Sequence, residues 1–347
     1  MYCRRRLETS AGDKPSVTDM LWELNQVVLV GDSDNRIDGV SLTIAGGVTA
    51  VMGYSGAGKT SLLNLLAGME TPSSGVISTP LEGDETGPGK SFSLPLYWVP
   101  QDGGLWPQLT VRRHLEVVSA AKLRDPAVLN EESQEMADKL LAQFDLTHRQ
   151  QAVPARLSKG EQSRLSVARA LAANPTVLLM DEPLAHVDSV RRPKYWNVIR
   201  EHLGLTGASL VFSTHEPEVV ISEAGSAVCL NEGQVLYTGL VTDLYDDPPD
   251  LQTAGFLGPA NWFAADELPT WLPRYPIQEN AVCLRPESLE VRADENGVIE
   301  ILSFRFSGSY AETGLKHLSS SKEIKIVHRP AGKVHHAGQR VSLGNLS

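Results

Sequence analysis

The sequence lacks the features that mark several large classes of protein. Its 347 residues include only 3 cysteines, which lie far apart and form no CxxC pair, and its 9 histidines show no HExxH spacing. These absences argue against a disulfide framework and against a zinc site, and they fit a reducing compartment. The neighbouring His335 and His336 are expected to lie in an exposed loop.

Long apolar runs and an excess of basic charge are also missing. No apolar run approaches the roughly 20 residues of a membrane-spanning helix, so we expect a soluble chain. Residues 1–18 contain arginines without an apolar core after them, which predicts a disordered leader rather than a secretory signal. Because 42 acidic residues outnumber 31 basic ones, the formal net charge is −11. A general basic surface is therefore absent, and we expect no nucleic-acid partner.

The sequence does contain an unusual run, GYSGAGKTS, with three glycines within six residues followed by a lysine and two hydroxyl side chains. It satisfies the pattern G-x4-G-K-[ST], in which backbone N–H groups surround a phosphate that a Cβ would obstruct. Lys59 is expected to reach the β- and γ-phosphates and the Thr60 hydroxyl to hold Mg²⁺. A glycine-rich turn that caps a helix would explain the glycines but not Lys59. The predicted nucleotide-binding residues of this phosphate loop are Gly53, Tyr54, Ser55, Gly56, Ala57, Gly58, Lys59, Thr60 and Ser61.

The surrounding residues predict alternating strands and helices. The loop joins a buried strand (48–53) to a helix, and the helix adds the positive end of its dipole to the phosphate site. Further along, we predict a strand ending at Gln101, a helical stretch from Thr110 to about Phe144, and a helix that Asn174 and Pro175 end. Such alternation implies a mainly parallel sheet, whose chemistry gathers beyond the carboxyl ends of the strands. The side chains predicted at those ends are Gln101, Asp181, Glu182 and His215.

Two further motifs can be assigned functions because a phosphate loop precedes them in the chain. In TVLLMDE, Asp181 can hold the shell of Mg²⁺, and Glu182 can orient or deprotonate an attacking water. A salt-bridged strand end is the simpler interpretation of that pair alone. In LSKGEQ, Ser158 and Glu161 predict a capping box, and the same helix start offers an anion site. Because one nucleotide cannot readily be held by this helix and the loop of one chain, the motif suggests a dimer.

The ordered set of the phosphate loop, Gln101, LSKGEQ, LLMDEP, LAHVD and STHE resembles the ATP-binding subunits of ABC transporters over residues 20 to 240. The resemblance implies an α/β P-loop NTPase fold with an inserted helical subdomain at about 105–172, with ATP and Mg²⁺ as ligands. It implies that Thr60, Gln101 and Asp181 hold the metal and that Glu182 is the catalytic base. It also implies γ-phosphate contacts from His215 and, across a dimer, from Ser158 and Gly160. Asp188 would belong to the loop that links the subunits.

The C-terminal part narrows the class. Residues 244–277 are rich in proline and glycine and predict a linker between an ATPase domain (19–243) and a small all-β domain (278–347). CLNEGQVLYTGLVTDLY and VCLRPESLEV resemble importers of the maltose, sulfate, ferric iron and polyamine types, with their barrel-like oligosaccharide/oxyanion-binding regulatory domain. This resemblance implies a homodimer that works with transmembrane permease subunits and a solute-binding protein. The chain would then be peripheral, on the cytoplasmic face of the inner membrane.

The sequence also departs from that family. Lys159 stands where a glycine is usual, Glu161 where glutamine is commonest, and Ala185 where the loop usually begins with serine. The position that normally stacks adenine falls on Leu29 or Val30, neither of them aromatic, so we expect weaker discrimination between bases.

Two alternative functions stay open. One is an ABC-type ATPase that acts on nucleic acid or ribosomes, and the other is a regulatory binding module with an incidental ATPase.

Overall fold

The protein divides between Leu240 and Val241 into two compact units. The computed structural model describes residues 20–32, 34–79, 96–120, 131–330 and 335–345. The predicted leader, residues 1–18, lies outside the described residues. Among the helices of these ranges, none combines the length and apolar character needed to cross a bilayer.

The first unit contains two sheets. Its strands are β1 (Met20–Val30), β2 (Asn35–Ala45), β3 (Val48–Gly53), β4 (Ser74–Ser78), β5 (Leu96–Val99), β6 (Val177–Asp181), β7 (Ser209–Thr214), β8 (Ser226–Asn231) and β9 (Gln234–Leu240). The larger sheet has the order β5-β6-β7-β3-β8-β9 and is parallel except for β9. The smaller sheet, β2-β1-β4, is antiparallel. The predicted mainly parallel α/β sheet is confirmed.

Helices join and cover these strands. They are α1 (Lys59–Leu66), α2 (Val111–Ala120), α3 (Glu131–Gln143), α4 (Lys159–Ala173), α5 (Arg192–Thr206) and α6 (Pro217–Glu223). Helix α1 places Leu62, Leu63, Leu65 and Leu66 in a core that also contains residues of both sheets. Each such leucine stabilises the fold by about 1.5–3 kcal/mol, so the helix that follows the phosphate loop is firmly anchored.

The predicted helical subdomain corresponds to α2, α3 and α4, which pack against one another. The predicted stretch from Thr110 to Phe144 contains α2 and α3, with residues 121–130 outside the described part. Helix α4 begins after Ser158 and ends at Asn174, whose left-handed backbone (φ 45°) stops it before Pro175. Strand β5 ends at Val99 rather than at Gln101, because Pro100 has no N–H for a sheet hydrogen bond.

The second unit is built mainly from antiparallel strands. Its elements are α7 (Val241–Asp246), α8 (Leu251–Phe256), β10 (Asn261–Phe263), α9 (Leu268–Trp271), β11 (Val282–Leu284), β12 (Leu289–Ala293), β13 (Ile299–Phe306), β14 (Ala311–His317), β15 (Glu323–His328) and β16 (Arg340–Asn345). Five strands form a sheet of order β12-β16-β13-β14-β15. Its edge strands β12 and β15 also contact each other, so the sheet curls around its core. The sequence had not predicted β14, whose buried positions are held by small or isolated apolar residues.

The stretch 244–277, predicted as a linker, contains structure that belongs to the second unit. Phe263, Trp271 and Leu272 are buried in one core with Ile301 and Leu315. Pro269 stands in the first turn of α9, and Gly258, whose backbone is left-handed (φ 108°), follows the end of α8, as these residues do in folded segments. The boundary between the units therefore lies at the start of this stretch.

The expectation of an exposed histidine pair was wrong for His335. Its side chain is buried (4% exposed), and its ring lies 5.7 Å from that of Phe304. His335 Nδ1 lies 3.2 Å from Gln339 Oε1. The next residue, His336, is exposed. Neighbouring side chains point to opposite sides, and here one side faces a core.

Candidate nucleotide-binding site

The phosphate loop depends on glycine where the backbone is crowded. Gly58 has a left-handed backbone (φ 103°), and a Cβ there would lie 2.6 Å from the Arg36 carbonyl oxygen. A Cβ on Gly53 would lie 2.7 Å from the Leu230 carbonyl oxygen. Both distances are shorter than any normal contact, so side chains are excluded at these positions. The loop consequently leads straight into the N-terminus of α1, where backbone N–H groups are unpaired.

Lys59 folds back across this loop. Its side chain is 9% exposed, and its Nζ donates to the carbonyl oxygens of Gly53 (2.8 Å) and Tyr54 (3.1 Å). The ammonium group is thus held at the first residues of the loop, six positions back along the chain. A fixed positive charge and a helix N-terminus at one loop form a site suited to a polyphosphate.

Thr60 connects the loop to the end of β6. Its hydroxyl donates to Asp181 Oδ2 at 2.7 Å, and the other oxygen of that carboxylate accepts from the Ser213 hydroxyl. Asp181 is 3% exposed. The same Ser213 hydroxyl accepts the N–H of Glu182 at 2.9 Å. Strands β6 and β7 and helix α1 are therefore joined through a single buried carboxylate and one serine.

Glu182 follows in a strained conformation that aims its carboxylate at His215. Its backbone is left-handed (φ 49°), which costs a non-glycine residue about 1–3 kcal/mol and is concentrated at functional sites. Glu182 Oε1 lies 3.1 Å from His215 Nδ1. The His215 side chain is 61% exposed and that of Glu182 is 20% exposed. Solvent therefore reaches both groups.

Gln101 belongs to the same neighbourhood. It lies in the turn after Pro100, closed by the Gly103 N–H and the Pro100 carbonyl at 2.8 Å. Gln101, Asp181 and Glu182 line one pocket, together with Lys159 and His186. The structure therefore brings the end of β5 to the end of β6, as the sequence predicted.

The oxygen groups of this pocket fit Mg²⁺. Hydroxyl, amide and carboxylate oxygens are the protein ligands this cation takes, and it usually keeps water and substrate phosphates as its remaining ligands. Thr60 is hydrogen-bonded to Asp181, and Gln101 lines the same pocket as Asp181. Within the described ranges, no group of three His, Cys, Asp or Glu side chains could hold a metal by itself. These few protein oxygens fit a Mg²⁺ site whose remaining ligands are water and phosphate oxygens.

The start of α4 forms the predicted capping box. The Ser158 hydroxyl accepts the Glu161 N–H at 3.2 Å, and Glu161 Oε2 accepts the Ser158 N–H at 2.8 Å. Burial opposes ionisation of Glu161, but hydrogen bonds from Ser158 and Arg149 outweigh it and lower the pKa of this carboxyl to about 2. Lys159 is exposed in the first turn of the helix.

Gly160 and Asp188 lie at the loop that follows Glu182. A Cβ on Gly160 would lie 2.9 Å from the His186 carbonyl oxygen, so the helix passes directly against that loop. Asp188 Oδ1 accepts the Val190 N–H at 2.8 Å and so shapes the approach to α5. Gly160 thus lies beside the 182–188 loop of its own chain.

The two residues predicted to face adenine differ in exposure. Leu29 is 4% exposed, whereas Val30 is 57% exposed at the end of β1. Only Val30 presents a surface at this position, and that surface is aliphatic.

Sequence reasoning missed two residues that hold the site together. Ser213 has no exposure and bridges Asp181 to Glu182. A serine inside the buried run SLVFST was the signal that could have identified it. Arg169 donates to the carbonyl oxygens of Gly104 (2.7 Å) and Gly103 (3.0 Å), next to the turn of Gln101. Its partners are backbone atoms, which no sequence pattern reveals.

Known proteins are similar to this chain in sequence and in fold. The family model described as "ABC transporter" matches residues 37–185. The Fe(3+) ions import ATP-binding protein FbpC of Pseudomonas fluorescens is 33% identical over 276 residues, covering 75% of each chain. The sulfate/thiosulfate import ATP-binding protein CysA of Mesorhizobium japonicum is 32% identical, over 75% of this chain and 78% of that protein. The putrescine transport ATP-binding protein PotG of Escherichia coli is 30% identical, over 73% of this chain and 66% of that protein.

Solved structures of ATP-binding cassettes have the same fold as the first unit of this chain. The ATP-binding cassette MJ0796, a dimer in a post-hydrolysis state bound to ADP and Pi, has a TM-score of 0.57. It is 26% identical to this chain and aligns with 64% of it and 99% of its own length. An ATP-binding subunit of an ABC transporter, 24% identical, has a TM-score of 0.56 and shares the fold over 65% of this chain and 91% of its own. With a phosphate loop, a buried Asp181 and an adjacent Glu182 in this fold, the chain belongs to the ABC transporter family of ATP-binding proteins.

Proposed function

We propose that this protein is the ATP-hydrolysing subunit of an ABC importer, in which two copies close around two Mg·ATP. The observation that carries the proposal is the hydrogen-bonded path from Thr60 through Asp181 and Ser213 to Glu182 and His215. It links the residues that would bind phosphate and metal to those that would act on water.

Nucleotide binding would be the task of the phosphate loop. Its N–H groups and Lys59 would surround the phosphates, while Thr60, Asp181 and Gln101 would hold Mg²⁺. When bound, the metal ion neutralises charge on the phosphates. Lys59 would exchange its two carbonyl partners for phosphate oxygens, which are stronger acceptors because they are charged.

Hydrolysis would depend on Glu182 and His215. Glu182 is the carboxylate next to the metal ligand Asp181, and it is accessible enough to accept a proton from an attacking water. His215 holds that carboxylate at 3.1 Å in the structure and would contact the γ-phosphate when nucleotide is bound. Gln101 would complete the pocket and sense the transmembrane partner.

The second nucleotide contact would come from another copy of the chain. Ser158 and Gly160 stand at the N-terminus of α4, where N–H groups and the helix dipole favour an anion. Asp188 would belong to the link between the two subunits. The dimeric cassette among the related structures supports this arrangement.

Partners and location follow from the same relatives. Their names describe import of ferric ions, sulfate or thiosulfate, and transport of putrescine. We propose that this chain drives permease subunits that receive solute from a separate binding protein, from the cytoplasmic face of the inner membrane. The second unit, which begins at Val241, would then be regulatory.

The substitution Glu182→Gln tests the proposal. It removes the basic carboxylate with little change of shape, so Mg·ATP should still bind and dimers should accumulate. Turnover should fall about 100-fold or more, the scale of a lost general base. Glu201→Gln, on an exposed position of α5, is the control. Normal hydrolysis by the Glu182 variant would remove that residue as the base. A wild-type chain that fails to take up Mg·ATP would overturn the function itself.

A further inference from the structure

Arg192, the first residue of α5, contacts two loops at once. Its Nη1 forms an ion pair with the carboxylate of Glu216, and its Nη2 donates to the Val187 carbonyl oxygen at 3.1 Å. Its backbone N–H donates to the Asp188 carbonyl oxygen at 2.9 Å. One side chain therefore joins the segment that ends at Asp188 to the residue that follows His215.

The guanidinium group of Arg192 is largely buried. The Arg192 side chain is 13% exposed, against 35% for Glu216. Its Nε–H is buried without a hydrogen-bond partner. Leaving that donor unpaired costs stability. The fork geometry of arginine, which reaches a carboxylate and a carbonyl together, explains why the group stays there.

Both contacts lie beside the groups that would carry the chemistry. One small pocket is lined by Arg192 and Glu216 together with Glu182, Ala185 and His215. Glu216 directly follows His215 and precedes α6, and its N–H donates to Thr214 Oγ1 at 3.1 Å. A shift of Arg192 would therefore move the 182–188 loop and the His215 backbone relative to each other.

We infer that Arg192, through Glu216 and Val187, is a positioning residue that sets the geometry between the Asp188 loop and His215 during hydrolysis. The inference rests on the proposed ATPase function and adds to it a residue that would touch neither nucleotide nor metal. Replacing Arg192 would therefore change kcat and leave the affinity for nucleotide nearly unchanged. Nucleotide affinity depends on the phosphate loop, with which the Arg192 side chain shares no hydrogen bond.

A second ion pair, between α5 and α6, supplies the matched control. Arg200, two turns further along α5, forms hydrogen bonds of 2.9 and 2.8 Å with the carboxylate of Glu223 at the end of α6. Arg200 also contacts Asn197 in its own helix. This pair joins α5 to the end of α6, and it reaches neither the Asp188 loop nor the residue after His215.

The test measures steady-state ATP hydrolysis and Mg·ATP binding by the full chain for Arg192→Met, Arg192→Lys, Glu216→Gln and Arg200→Met. For Arg192→Met we expect kcat to fall about 10- to 100-fold with KM changed by about twofold or less, because small displacements of catalytic groups have effects of this size. Arg192→Lys keeps a positive charge near Glu216 and should recover part of kcat. Glu216→Gln should lose less than Arg192→Met. Arg200→Met should retain wild-type kcat, and thermal unfolding of each variant identifies any that is unfolded at the assay temperature.

The outcomes are distinguishable. If Arg192→Met and Arg200→Met have the same kcat, the inference is overturned while the ATPase function stands. A rise in KM in place of a fall in kcat also overturns it, because affinity would then be what Arg192 controls. If Arg192→Lys and Arg192→Met lose kcat equally and lose thermal stability to the same extent, Arg192 has only a structural role and the inference is overturned. A wild-type chain that takes up no Mg·ATP would end both proposals.

Discussion

Thr60 and Asp181, which are 121 positions apart in the sequence, are joined by a hydrogen bond of 2.7 Å. The first turn of α1 and the carboxyl end of β6 meet at this point because β3 and β6 belong to the same parallel sheet, with β7 between them. A hydroxyl that donates to a carboxylate can turn its lone pairs to a cation instead. We therefore expect this pair to hold Mg²⁺ once nucleotide binds.

The first prediction concerns that hydroxyl. Thr60→Val keeps the shape of the side chain but removes its oxygen, whereas Thr60→Ser retains the oxygen and is the control. We expect the Mg²⁺ concentration for half-maximal ATP hydrolysis to rise about 10-fold or more in the Val variant, the scale reported for lost metal-site partners. Titration of activity with Mg²⁺ at saturating ATP measures it. Equal titration curves for Val and Ser would show that Thr60 does not serve the metal.

A second prediction follows from the contact between Gly160 and His186. Gly160→Ala would place a Cβ 2.9 Å from the His186 carbonyl oxygen, a backbone atom that cannot yield without moving its loop. We expect the free energy of unfolding to fall by about 1–3 kcal/mol, together with a loss of ATP hydrolysis. Denaturant unfolding and a turnover assay measure the two effects.

Gly204→Ala is its control. Gly204 lies inside α5, and a Cβ there would meet nothing within 4 Å. Alanine should stabilise that helix by about 0.5–1 kcal/mol without altering turnover. If both alanine variants are equally stable and active, the crowding at Gly160 has no consequence.

The third prediction concerns the base of the nucleotide. Val30 is the exposed residue at the adenine position, so ATP and GTP should be hydrolysed with similar kcat/KM. Val30→Tyr should lower KM for ATP about fivefold, since aromatic stacking adds about 1 kcal/mol. Val76→Tyr, at another exposed valine of the same small sheet, is the control. A wild-type chain that strongly prefers ATP over GTP would contradict the prediction.

The fourth prediction concerns Glu161. The folded chain lowers the pKa of this carboxyl from 4.5 to about 2, so its ionised form stabilises the fold above about pH 4.5. That stability should be lost as the pH falls from about 4.5 towards 2. The contribution is of the order of 1–2 kcal/mol, because the partner Arg149 is 46% exposed and solvent screens the pair.

Glu161→Gln tests this by removing the ionisation while retaining an oxygen that can accept the Ser158 N–H. The difference in unfolding free energy between wild type and variant should shrink between about pH 6 and pH 3. Glu201→Gln, an exposed substitution on α5, should show no such change. A difference that stays constant over this range would refute the role of the charge.

Local patterns in the chain were enough to identify the elements that carry the site. The order of strand, glycine loop and helix at 48–66, the capping box at Ser158 and the αL end at Asn174 each follow from interactions within a few residues. Such features depend on backbone conformation and local hydrogen bonds, which neighbouring residues decide. The parallel sheet followed from the alternation of strands and helices along the chain.

The second unit was harder to predict for a physical reason. Its short strands bury few side chains each, and β14 presents only Ala311, Thr313 and Leu315 to the core. Short helices at 244–277 carry the same prolines and glycines as a loop. Their burial depends on Ile301 and Leu315 from strands much later in the chain.

Sequence alone determined that this protein has a glycine-rich phosphate loop, a carboxylate pair at a strand end and a helix that begins with a capping box. These are properties of short segments, and they specify the chemistry. Tertiary structure alone decided that Ser213 bridges Asp181 to Glu182, that Gly160 lies against His186, and that Arg192 reaches Glu216 and Val187. Those relationships require side chains and carbonyl groups from different elements to meet, and only the packing of the whole chain brings them within hydrogen-bonding distance.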